Sequence, residues 1–209
     1  PSIWNGHVAP LILRSMVDTY ITFAWIFLEP VERARQFILH GLGQEKLIIE
    51  HHRVHLSSTG QNPDDSPMIQ VMEGWLNAQR FAFLTEVNVG SWSGTDTRKM
   101  AEEADCADLY RFAYTPFSAA THGMWNHVAK YNLTTCQNVL HRHHRIPAES
   151  SGDPDVDYLY QAAKYVEKTF QEFDLRVGIP VNGESALKVL TAGLERLAER
   201  AARASEPED

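Results

Sequence analysis

Cysteine is nearly missing from this 209-residue chain: only Cys106 and Cys136 are present, 30 residues apart and without a Cys-x-x-Cys spacing. That fits a reducing compartment, the cytoplasm, better than a disulfide framework and predicts two free thiols. Period-two alternation bounded by turn residues is lacking as well, so no sheet is expected. Positive charge is in deficit, with 19 Lys and Arg against 27 Asp and Glu for a net charge of -8. That balance argues against binding nucleic acid through the overall field, although a local basic patch remains open. An uninterrupted apolar run is missing too. Residues 8–28, VAPLILRSMVDTYITFAWIFL, have the length of a membrane span, but Arg14 and Asp18 stand at the middle. Charges there are costly in lipid, so a buried core helix with no membrane partner is predicted. The chain begins at Pro1 without a signal-peptide pattern, and a preceding segment is expected.

What is present is globular. A hydrophobic share of 44% with 10% aromatics suits a single helical domain over residues 1–204, followed by a disordered tail at 205–209. Helix one is predicted over about 7–28, ending before Pro30, and helix two over about 31–57, tolerating Gly41 and Gly43. Ser66-Pro67 reads as a cap followed by proline at the first helical position, opening a helix to about Val89. A fourth helix turns Met100, Ala104, Ala107, Leu109 and Phe112 inward, and Thr115-Pro116 opens a fifth that reaches about Tyr131. Residues 132–153 read as irregular. A sixth helix starts at Asp153-Pro154 with Val156, Leu159, Ala163, Val166, Phe170 and Phe173 inward, and a seventh presents Leu187, Leu190, Leu194, Leu197 and Ala201. The fold class is therefore all-α, a bundle of about seven helices with a C-terminal helical hairpin.

Four places carry candidate chemistry. Arg14 and Asp18 lie one turn apart on an apolar helix and need buried partners, either as an ion pair fixing register or as an interior polar site. Tyr114, Ser118 and His122 recur at four-residue intervals, which suits a pooled network with Arg14 and Asp18 in which His122 acts as acid or base. No Gly-x-Ser-x-Gly frame surrounds Ser118, so a serine hydrolase is disfavoured. His51 and His55 share a helical face at chelating distance but meet neither the zinc-protease nor the di-iron template; no metal and no cofactor is assigned. The loop His141, Arg142, His143, His144 and Arg145 is the one strongly basic cluster and the candidate anion site.

Residues 11–46 and 110–125 resemble a widespread family of bacterial helical proteins of uncharacterised function. Its marks are an Arg, a following acidic residue usually written Glu, and a later Tyr-x3-Ser-x3-His. Here these are Arg14, Asp18, Tyr114, Ser118 and His122, with Asp in place of Glu. The resemblance covers about two thirds of the chain, leaves the last two helices open and implies no known reaction. RQFILH, with Arg35 and His40 in an Arg-x4-His spacing, is more loosely similar to HEPN-type helical proteins. That similarity implies a dimeric RNA-cleaving toxin or phage-defence effector, in which Arg35 and His40 promote 2'-hydroxyl attack on phosphate in a cleft shared with the 141–145 loop. Two readings compete with it: a non-catalytic module that senses a ligand or protein partner, and a metal-dependent oxygenase-like bundle.

Overall fold

The computed structural model of the protein describes residues 4–79, 92–148, 153–180 and 183–204. Apart from one short ribbon its regular structure is helical, so the all-α expectation holds. Packing divides the chain into two compact units, Pro1–Ala24 with Ala101–Asp209, and Trp25–Met100.

In the first unit, α1 (Ala9–Ile26) is opened by Asn5, whose side-chain oxygen accepts from His7 N at 2.9 Å and Val8 N at 3.1 Å. Its inward stripe is Ala9, Leu13, Val17, Tyr20, Ile21 and Ala24, the spacing a 3.6-residue period requires. Leu13, Val17 and Ile21 are completely buried, each side chain contributing roughly 1.5–3 kcal/mol. Arg14 and Asp18 fall on the adjoining stripe.

The next stretch departs from expectation. α4 (Thr97–Glu103) ends where Asp105 takes a left-handed φ of 54°, so the fourth helix is broken. A new helical run starts with α5 (Ala107–Leu109), widens into a π turn over Tyr110–Tyr114 and continues as α6 (Thr115–Thr121). Thr115 therefore caps nothing, because Tyr114 before it is itself helical at φ -55° and ψ -51°. Pro116 has no N–H to give the carbonyl four residues back, and the backbone widens ahead of it: Thr115 N and its hydroxyl both reach Tyr110 O. The break and the extra residue shift the helical phase. Ala113 points inward and Phe112, expected in the core, is 77% exposed. The fifth helix is also interrupted, at Gly123 (φ 57°), before α7 (Trp125–Tyr131).

Residues 132–148, read as irregular, contain a ribbon. β1 (Leu133–Thr135) pairs antiparallel with β2 (Arg145–Pro147), with Thr134 opposite Ile146. α8 (Val156–Val177) is capped by Asp155, whose carboxylate accepts from Asp157 N at 2.9 Å, and ends at Gly178. It packs against α9 (Ala186–Ala204) as the predicted hairpin. Glu167 of α8 ties the pair by accepting from the Ser185 hydroxyl and from Leu187 N. The inward face of α8 is centred on Ala162 and Tyr165; Val156 and Phe170, expected inside, are about half exposed.

In the second unit, α2 (Pro30–Ser58) begins with proline at its first position and packs on α3 (Pro67–Ala78), with Leu42, Ile49, Ile69 and Leu76 as the core and Leu56 and Met72 against it. Arg53 pins this corner through Asp64 at 2.7 Å and Glu73 at 2.6 Å. The expected extension of α3 to Val89 and the tail at 205–209 lie outside the described residues.

Candidate functional site

α1 and the 107–121 helical run assemble one polar clamp. Arg14 Nε donates to Ser118 Oγ at 2.8 Å, and the guanidinium lies 3.3 Å over the Tyr114 ring centroid. The π turn prepares that ring, which stacks on Tyr110 at 4.7 Å and 22°. Ser118 Oγ in turn donates to Tyr114 O at 2.7 Å, so its only proton is committed. Asp18 stands 3.4 Å from Arg14 Nη1, but its side chain is 45% exposed against 15% for Arg14. That makes the ion pair weak, about 0–1 kcal/mol, beside the stacking and the serine bond. Ser118 is buried, the one polar residue besides Tyr20, Tyr165 and Cys106 to be so among the described residues. His122 sits apart from this group: it is the exposed C-cap of α6, and only its backbone N reaches Ser118 O, at 3.0 Å.

The remaining candidates lie elsewhere. Arg35 is exposed on α2 and His40 is partly buried, its Nδ1 enclosed without a hydrogen-bond partner. Five residues along a helix separate two side chains by about 140°, so Arg35 and His40 leave different faces. Arg33, seven residues before His40 and closer to its face, is engaged over the Trp25 ring at 3.7 Å and with Trp25 O and Glu29, each at 2.8 Å. His51 and His55 are exposed on α2. His141 to Arg145 are all exposed in the loop between β1 and β2 and its edge.

Three features were missed in the sequence. The first is an imidazole–phenol cluster: His7 and His127 lie 5.5 and 4.8 Å from the Tyr131 ring, and Tyr131 Oη meets Tyr158 Oη at 2.8 Å. Burial, then His7 and then Lys130 lower the His127 pKa, while burial and the Tyr131 hydroxyl push the Tyr158 phenol up. A Cβ on Gly6 would run into the Tyr131 ring. These four partners are dispersed along the chain, and no motif links them. The second is a groove of about 610 Å³ between α1 and α8, lined by Leu11, Ile12, Met16, Val166 and Phe170 with the hydroxyl residues Ser15, Thr19 and Thr169. Phe170, expected in the core, is part of its wall. The third joins Cys136 to His141 and His144, whose ligand atoms all lie within 4.8 Å of one another. The Cys-x4-His-x2-His spacing is its visible signal in the sequence, where it is split between a lone thiol and a basic loop.

These elements define a helical protein with a partly buried arginine clamp as its polar site. The chain belongs to DUF5677, a family of unknown function, with the match running over residues 3–138. That span contains all five clamp candidates and both Arg35 and His40, and it stops between Cys136 and His141. No curated protein and no solved structure matches the chain. No helix among the described residues is long and apolar enough to cross a membrane.

Proposed function

We propose that the chain is a non-catalytic helical module that senses a small apolar ligand, held in the groove between α1 and α8, with the Arg14 clamp fixing α1 in place. The observation that carries this reading is the groove. Its volume, about 610 Å³, lies within the range of small-molecule sites. Two of its three hydroxyls are spent on their own helices, Thr19 on Ser15 O at 2.9 Å and Thr169 on Tyr165 O at 2.8 Å. The lining therefore offers mainly carbon to an occupant.

Support also comes from the clamp's lack of free chemistry. Ser118 donates its hydroxyl hydrogen bond to a carbonyl, Arg14 holds that hydroxyl and a ring, and the nearest imidazole in sequence is turned out at a helix end. The RNA-cleaving HEPN-like reading has less support, since Arg35 and His40 diverge on α2 and the second guanidinium near His40 is engaged. Titration of the folded chain with 8-anilinonaphthalene-1-sulfonate tests the proposal. Saturable one-site fluorescence, lost in a groove-filling Thr169→Trp variant of unchanged far-ultraviolet dichroism, is expected. Equal probe binding by that variant would remove the groove as the site. Cleavage of total RNA by the wild type, abolished by His40→Ala, would overturn the non-catalytic reading.

A further inference from the structure

The loop joining β1 to β2 gathers three groups that share one chemistry. Cys136 Sγ lies 3.7 Å from His141 Nδ1, the His141 and His144 rings meet edge to face at 5.4 Å, and the three ligand atoms fit within 4.8 Å. Tetrahedral zinc, with a Zn–S bond of about 2.3 Å and Zn–N bonds of about 2.0–2.1 Å, holds sulfur and nitrogen roughly 3.5 Å apart. Small side-chain rotations would complete that geometry. Cys136 is partly buried and the two histidines are exposed, so an ion can enter from solvent.

The backbone brings the three together in a fixed frame. Beyond the strand pairs, Ala148 N donates to Asn132 O and Cys136 N to His144 O, both at 2.9 Å, closing the loop at its base. Inside it, Asn138 accepts from Leu140 N at 3.0 Å through its side chain and from His141 N at 2.9 Å through its carbonyl. His144 N then reaches His141 O at 3.1 Å, and His143 takes a φ of 64°, a left-handed conformation that non-glycine residues seldom adopt. That turn sets His144 back beside Cys136 and leaves His143 outside the cluster. Such a backbone conformation persists where the surrounding structure holds it, and here it lies between the two candidate ligands His141 and His144.

We propose that Cys136, His141 and His144 form a zinc site, with one thiolate and two neutral imidazoles as ligands and solvent in the fourth position. Thiolate with imidazole selects a borderline-soft divalent ion over magnesium or calcium, which favour oxygen ligands. Binding expels the Cys136 thiol proton to solvent as the Zn–S bond forms. The site is independent of the groove and of the clamp.

Cobalt(II) titration of the full reduced chain tests this directly. One equivalent should produce a near-ultraviolet thiolate-to-cobalt charge-transfer band and visible bands of tetrahedral intensity, and zinc should erase both. Cys136→Ser should lose the charge-transfer band. His141→Ala and His144→Ala should each weaken binding at least tenfold, whereas His51→Ala leaves it unchanged. Far-ultraviolet dichroism checks that each variant is folded. A folded wild type without the bands, or bands that persist in Cys136→Ser, would overturn the proposal. So would fast alkylation of Cys136 that zinc does not slow, which would mark a thiol–imidazole pair instead.

Discussion

Arg14 shows how one residue on an apolar helix is made tolerable: its charge is kept near the surface on one side and laid over a π face on the other. Lysine can reproduce the charge but neither the flat stacking over Tyr114 nor the Nε bond to Ser118. Arg14→Lys should therefore destabilise the protein by about 1–2 kcal/mol, seen as a lower urea midpoint at unchanged slope. A change no larger than a surface substitution gives would mean that the clamp is not structural. The pairing of Arg14 with Asp18, Tyr114 and Ser118 was legible because four-residue spacing on helices is a geometric fact. The place of His122 was not, since a helix that ends one residue earlier turns a predicted inward face into a cap. His127 carries a pH signature of its own. Its folded pKa lies below the unfolded value of 6.5, through burial first and then His7 and Lys130. The unfolded chain thus binds more protons there, and stability falls as pH drops through 6.5 toward the lower folded value. His127→Gln should flatten the decline in urea midpoint between about pH 7.5 and 5.5, and an unchanged slope would assign that decline to other groups.

The helical elements were legible wherever periodicity, proline and turn residues agreed, as in α1, α2 and the α8–α9 hairpin. Proline was misread at Thr115-Pro116 because the same dipeptide that starts a helix can also be absorbed by a π turn. In the form that occurs, Ala113, Phe117 and Ala119 are buried, a tertiary outcome that the dipeptide alone does not encode. The ribbon was illegible for a related reason: three residues a side are too few to show alternation. Glycine gives a test of opposite signs at this scale. Gly41 lies exposed within α2, where an added Cβ would meet nothing within 4 Å, so Gly41→Ala should stabilise by about 0.5–1 kcal/mol. Gly178 closes α8 at a φ of 70°, and the same methyl there should cost about 1–2 kcal/mol. Paired urea curves read both, and a common sign would contradict the helix assignments that separate them.

At the scale of the whole molecule, the chain was expected to form a single domain over residues 1–204, and its packing resolves into two compact units whose cuts fall inside helices. α1 runs through the boundary at Ala24 and α4 through the one at Met100. α1 carries only Trp25 and Ile26 past its cut, whereas α4 is divided near its middle, and neither half of so short a helix would hold alone, since helix formation is cooperative and short fragments are marginal. The two units should therefore unfold together. Cys106 and Trp25 provide reporters, one buried in each unit. Burial, the largest influence on Cys106, pushes its thiol up to about 11, which keeps it protonated and inert at neutral pH. In native protein a disulfide reagent should thus label one thiol quickly, Cys136, and none in Cys136→Ser. In that variant, Cys106 labelling and Trp25 fluorescence, isolated by replacing the other tryptophans with Phe, should share one urea midpoint. Exposure of Cys106 well before the change at Trp25 would instead make the first unit an independently opening body, and the helical continuity of α4 across Met100 would then not couple the two.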